Sequence, residues 1–198
     1  MNNDIYFLTQ EFIVAESVWD GIEHDFEVCF FKEHYLISHK TKEITLLNAN
    51  QKVPATFYPI LLNYCKKANI LSAVDEPSEL ISIDFREDWK LFFRGFHTLR
   101  EEMVLDKVNN IKTFKKIMKK FNGKELPMAE SSFLIEPLKG FFIAYLFWDK
   151  DDEFDASLKI LFDKRLTALF MQDIVWGVIV ETNYRLKNHF FYTSVFGE

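Results

Sequence analysis

The stretch SSFLIEPLKGFFIAYLFWDKDDEFDASLKILF, residues 131–162, decides the fold class. It contains three apolar runs, 131–136, 141–148 and 157–162, each of strand length and each bounded by turn residues. The intervening 137–140 and 149–155 are short enough to turn the chain straight back, so the three strands lie antiparallel. Downstream the period changes. From Arg165 or Thr167, Leu169, Phe170, Ile174, Trp176, Gly177, Val178 and Val180 recur at helical spacing, and the pattern fades near Lys187. Strands joined by tight turns, with helices segregated along the chain, predict an α+β fold. An antiparallel sheet carries packed helices, the last of them long.

Upstream, Ile5, Leu8, Phe12, Ala15, Trp19 and Ile22 form one helical stripe, with Asn3 or Asp4 as its N-cap. Residues 26–31 and 35–39 are aromatic and β-branched and read as a hairpin about Lys32-Glu33, with 44–47 as a third strand. Pro54 and Pro59 introduce a helix through Ala68, with Pro59 in its first turn and Asn69 as its stop. Residues 80–85 read as a strand. Leu91, Phe92, Gly95, Phe96, Leu99 and Met103 restore the helical period, and a further helix spans 107–121. Asn122-Gly123 ends it, with Gly123 expected to supply the positive φ.

At 198 residues, with 48% hydrophobic and 27% charged positions, the chain is long and apolar enough for one self-sufficient domain, 1–198. Its 22 Phe fit a sheet face covered by helices. Twenty-four Lys+Arg against 30 Asp+Glu leave a net charge of -6, which speaks against a nucleic-acid partner. No apolar run approaches the roughly 20 residues that span a bilayer. The first ten residues carry no positive charge, so a secretory signal is not expected and the cytoplasm is the expected address. Cys29 and Cys65 read as buried free thiols, and two cysteines cannot build an intrinsic iron–sulphur cluster. Neither a Gly-rich phosphate loop nor a Gly-x-Ser-x-Gly elbow occurs, and the five His are dispersed.

Three features carry candidate chemistry. Asp149, Asp151, Asp152, Glu153 and Asp155 crowd one turn, and oxygen-rich loops hold hard cations. The spacing is similar to a calcium loop but has Phe154 at position six and Ile160 at position twelve, where Gly and Glu belong. A solvated hairpin turn has the same composition. Asp163 ends an apolar strand and Asp173 shares a helix face with Trp176, so both are expected to be partly buried and partnered. Asp163 could equally cap the next helix. Convergence of Asp151, Glu153, Asp163 and Asp173 would make a carboxylate cluster fit for a divalent cation or acid–base work, beside a cleft lined by Trp148, Phe154 and Trp176. Finally, Lys112, Lys115, Lys116, Lys119 and Lys120 oppose Ile111, Phe114, Ile117 or Met118, and Phe121, the pattern of a solvated helix face or of a surface for an acidic partner.

The order Trp148-Asp149 through Phe154-Asp155-Ala156, then Leu161-Phe162-Asp163, then Gln172-Asp173-Ile174 with Gly177, resembles the family DUF3786, a domain of unknown function. Residues 60–64, 80–85 and 121–126 are similar to that family's middle helix, next strand and Gly-containing loop, so the resemblance covers about 20–188. It implies a setting in anaerobic bacteria and archaea, where some members are joined to a four-cysteine iron–sulphur domain. This chain has no such cysteine cluster, so that role does not transfer to it. No reaction and no cofactor transfers either.

The expected function is thus a cytoplasmic binding or accessory domain, leaning away from an enzyme, for a protein partner or small molecule of redox or corrinoid metabolism. Trp148, Asp151, Glu153, Phe154, Asp163, Asp173 and Trp176 are its expected binding residues. A carboxylate-cluster, cation-dependent enzyme is the first alternative. A homodimer formed through an exposed aromatic strand or the final helix is the second.

Overall fold

The computed structural model describes residues 16–195, apart from 48, 50, 54–56 and 109. The chain is a mixed α+β protein that divides into two compact units, Met1–Val74 and Asp75–Glu198. Among the described residues no helix is long and apolar enough to cross a membrane.

The first unit is built on a meander. Strands β1 (Phe26–Phe30), β2 (Glu33–Ser38), β3 (Glu43–Leu46) and the two-residue β4 (Gln51–Lys52) pair antiparallel in sequence order. Phe31 turns the first hairpin at φ 54°, and Val28 pairs with Tyr35, Phe26 with Ile37. Strand period two sends Val28, Phe30, Tyr35, Ile37 and Ile44 to one buried face. Phe57 packs edge-on against Phe30 and Tyr35 there, each at 5.4 Å between ring centres. Helix α1 (Tyr58–Cys65) buries Ile60, Leu61, Leu62, Tyr64 and Cys65, with Pro59 in its first turn as expected. The helix does not reach Ala68. It stops at Cys65, and a separate short α2 (Ala68–Ser72) takes in Asn69, the expected stop. Cys65 is buried as expected, whereas Cys29 is exposed. Its neighbours Val28 and Phe30 both point inward, which forces Cys29 outward. Of the helical stripe expected at the start, Ile5, Leu8, Phe12 and Ala15 lie outside the described residues. Trp19, in a 3-10 turn at Glu16–Trp19, and Ile22 are buried.

The second unit holds a five-stranded antiparallel sheet. Its strands are β5 (Leu80–Ile81), β6 (Lys124–Leu126), β7 (Ser131–Leu138), β8 (Phe141–Trp148) and β9 (Ser157–Asp163), in the order β5-β9-β8-β7-β6. The three strands expected from 131–162 are the central ones. The β7–β8 register shifts between Ile135 and Leu138, where Pro137 cannot donate a ladder hydrogen bond. The strand expected over 80–85 shrinks to two residues and continues as a 3-10 turn, Ile83–Phe85. The helices are α3 (Glu87–Phe92), α4 (Glu101–Leu105), α5 (Ile111–Lys120), α6 (Leu166–Leu169) and α7 (Gln172–Val195). Gly95 at φ 67° breaks the helical run expected through Met103, and Phe170 in extended conformation separates α6 from α7.

One sheet face carries the buried rings of Phe133, Tyr145, Phe147 and Phe162. Phe114 of α5 stacks on Phe147 at 4.9 Å and meets Phe133 edge-on, while Trp89 of α3 lies against Phe162. Burying each such ring contributes about 1.5–3 kcal/mol. Helix α5 buries Phe114, Ile117 and Met118, and its lysine side is solvated; Lys115 pairs with Glu125. Its end is a Schellman motif: Gly123 N–H donates to Met118 O and Asn122 N–H to Lys119 O. Asn122, not Gly123, takes the positive φ, at 58°. Gly123 is needed for a different reason. A Cβ there would sit 2.8 Å from the Met118 carbonyl oxygen and 2.9 Å from Ile135 Cδ1.

Candidate functional site

The acidic turn after β8 is internally satisfied. Asp149 Oδ2 accepts from the N–H of Ile111 at 3.0 Å, so it serves the N-terminus of α5 beside Asn110, which accepts from Thr113 N–H. Asp151 Oδ1 accepts from the N–H groups of Glu153 and Phe154, at 2.8 and 2.7 Å. Those two donors hold the Asp151 carboxyl below the usual carboxylate range. Glu153 and Phe154 are exposed, and Trp148 is half-buried at the end of β8.

Asp163 stands elsewhere, fully buried at the end of β9. Its Oδ1 accepts from Ser78 Oγ at 2.8 Å and from the N–H groups of Ser78 and Arg165. Its Oδ2 accepts from Arg165 Nε at 2.8 Å. Burial by itself raises this carboxyl. The Arg165 guanidinium, the Arg165 N–H and the Ser78 hydroxyl outweigh it, so the group titrates below its ordinary range. Asp163 is therefore the fastener of the edge strand: β5 pairs only through Leu80 and Ile81, opposite Asp163 and Phe162.

Asp173 is exposed in the first turn of α7, with Oδ1 accepting from Ile174 N–H. The convergence expected of Asp151, Glu153, Asp163 and Asp173 does not occur. Among the described residues, no three His, Cys, Asp or Glu side chains stand close enough to share a metal ion. The reason is local: Asp151, Asp163 and Asp173 all spend oxygens on backbone N–H groups within three positions of themselves.

Trp176 leads to an arrangement the sequence does not announce. Its Nε1–H donates to Thr98 O at 3.0 Å, and its ring meets His97 edge-on. His97 in turn stacks on Phe92 at 4.4 Å. About two helical turns further along α7, the buried Asn183 donates to Leu99 O at 2.6 Å and accepts from the buried Tyr145 hydroxyl at 2.6 Å. The segment 97–101 is thus pinned to α7 at two successive carbonyls. Arg100 follows in left-handed conformation, φ 59°, and Glu101 opens α4 half-buried. Burial first, then the neighbouring Glu102, raises the Glu101 carboxyl above its ordinary value. Burial and Glu101 together push the Tyr145 phenol well up. The only sequence signal for this segment is Gly95, which could have been read as a break rather than a tolerated helical glycine.

The aromatic stack has an exposed margin. Phe96 is 79% exposed and Leu91 56% exposed, and both belong to the short stretch that Phe92 and His97 clasp together. Lys90 and Arg94 flank it without an ion pair among the described residues. A separate cleft of about 280 Å³ is lined by Asp75, Glu76, Lys124, Leu134, Glu136 and Phe142, among others. Its charges are matched: Lys124 pairs with Glu76, and Lys139 with Asp75 and Glu136.

The DUF3786 family model, a domain of unknown function, matches residues 13–182, and the chain belongs to that family. No curated protein and no solved structure matches it.

Proposed function

We propose that the chain is a non-enzymatic binding or accessory domain that docks a protein partner on the 90–97 stretch of the second unit. The observation that carries this reading is the exposure of Phe96 and Leu91 on the stretch that leads into Thr98 and Leu99, whose carbonyls Trp176 and Asn183 hold. Large apolar side chains left in water on an ordered surface mark interaction sites. A preorganised loop loses little entropy when a partner settles on it. Lys90 and Arg94, which have no ion pair among the described residues, favour a partner that offers an apolar side chain among carboxylates. Trp176, one of the residues singled out from the sequence, acts here as a positioning residue and not as a contact. The cytoplasm is the proposed compartment, and a redox or corrinoid protein of anaerobic metabolism the proposed partner class. The partner class rests on the family resemblance alone.

The experiment is quantitative affinity capture from cells that make the chain naturally, using wild type and a Leu91→Ser/Phe96→Ser variant side by side. One protein recovered by wild type and reduced by roughly thirtyfold with the variant supports the proposal, since truncating an interface anchor costs about 2 kcal/mol. Equal recovery by both, or recovery of nothing, sinks it.

A further inference from the structure

The outward face of the β1–β2 hairpin gathers three side chains that the partner-docking surface does not use. Cys29 and His34 are directly opposed in the ladder, with Sγ and Nε2 3.9 Å apart. Glu27, two positions before Cys29 on the same face, places Oε1 2.8 Å from His34 Nδ1. All three are exposed, and the Cys29 thiol donates to the Phe31 carbonyl. A carboxylate on Nδ1 fixes the imidazole proton there. Nε2 is left as a lone pair facing the sulphur.

Two chemistries fit such a trio, and the surrounding charge separates them. A nucleophilic cysteine needs an electropositive setting that stabilises its thiolate. Cys29 has the reverse: Glu27, two positions away on the same outward face, sets a carboxylate against the His34 ring that faces the sulphur. A bound cation inverts that logic, because the carboxylates that oppose a bare thiolate attract a metal, and the metal deprotonates the thiol outright. The spacing agrees. With Zn–S of about 2.3 Å and Zn–N of about 2.0–2.1 Å, a tetrahedral ion sets sulphur and nitrogen roughly 3.6 Å apart. The observed 3.9 Å needs only a small side-chain adjustment. A carboxylate on the far nitrogen is the usual outer partner of a metal-bound histidine.

One chain supplies only half a set. Structural zinc takes four protein ligands, and no third lies within reach among the described residues. A two-fold axis converts one Cys–His pair into two. β1 is the outermost strand of its sheet among the described residues, and Leu36 on the same outer face is partly exposed, so a second hairpin can approach. We propose that Cys29 and His34 form half of a tetrahedral zinc site, with Glu27 orienting His34, and that a second copy of the chain completes it as Cys2His2. Each thiol gives its proton to solvent, so one ion releases two protons as two chains join.

The test is titration of the full chain with Zn²⁺ under a non-chelating reductant, followed by sedimentation and by proton release, with Co²⁺ as a spectroscopic substitute. The expected result is one ion per two chains, conversion of monomer to dimer, two protons released, and the visible bands of tetrahedral cobalt with thiolate charge transfer. Cys29→Ser and His34→Ala should abolish all four, and Cys65→Ala should keep them. Glu27→Gln should weaken zinc binding by about 10–100-fold. The proposal is overturned by no binding at micromolar Zn²⁺, by one ion per chain without dimerisation, or by a Cys29→Ser chain that binds as wild type does.

Discussion

Ser78 and Asp163 lie 85 positions apart and are joined through Oγ and Oδ1 at 2.8 Å. Arg165, two positions past Asp163, closes the arrangement from the other side and also donates to Glu76 O. A buried carboxylate with this many donors sits in a pocket shaped for its charged form. The edge strand β5, only two residues long, has few other ladder bonds to hold it.

Replacing Asp163 by Asn keeps the shape but turns an N–H₂ group toward the guanidinium. Loss of about 2–4 kcal/mol is expected, read by urea unfolding. The sign with pH follows from the lowered carboxyl. Its stabilisation is whole above the free Asp range of about 3.9 and is lost as pH falls through the lower folded value. The gap between wild type and Asp163→Asn should therefore narrow in acid. A gap that is constant from pH 7 to pH 2 contradicts the assignment.

Glu101 should behave in the opposite sense. Its folded carboxyl is raised, so its protonated form favours the folded chain. The benefit is complete below the free Glu range of about 4.3 and disappears as pH rises through the raised folded value. Glu101→Gln should thus melt higher than wild type at pH 7 and equal it near pH 3. Thermal denaturation at both pH values decides.

At the α5 terminus two adjacent substitutions should part company. Gly123→Ala drives a methyl against backbone oxygen and two core side chains, and should cost about 1–3 kcal/mol. Asn122→Gly relieves a left-handed side-chain residue and should be neutral or slightly stabilising. If the glycine at 123 served φ instead of space, the first change would cost no more than the usual left-handed penalty.

The two thiols should be kinetically distinct. Cys29 is exposed and Cys65 is buried, its thiol pushed up to about 12 by desolvation. A disulfide reagent at pH 8 should label one thiol per folded chain, and the second only after denaturant is added. Peptide mapping should find the first label on Cys29. Simultaneous labelling of both would place Cys65 in water.

The α+β class and the central strands were legible because β8 is a pure apolar run between Gly140 and Asp149, and its neighbours have turn residues at both ends. Helix breaks were not. Apolar spacing runs on through Lys66-Lys67, Gly95 and Phe170, although the backbone turns there. Periodicity records which side chains face the core and says nothing of the peptide units between them. The candidate carboxylates were visible as residue types, but most of their partners were backbone N–H groups, which every residue except proline offers, and Asp163 adds the hydroxyl of Ser78, 85 positions away in sequence, and the Arg165 guanidinium. The outward turn of Cys29 was written in Val28 and Phe30, once period two is applied to them. Its approach to His34 depends on hairpin register, which a turn shifted by one residue would have undone.

The fastening of β5 to β9 also orders events during synthesis. Ser78 leaves the ribosome long before Asp163 exists. At ordinary elongation rates roughly 4 to 17 s separate the two. Over that interval the nascent chain carries Leu80 and Ile81 without their ladder partner. The second unit can close only after Arg165 has emerged, which makes the late β8–β9 ribbon the template on which the earlier segment is finally laid down.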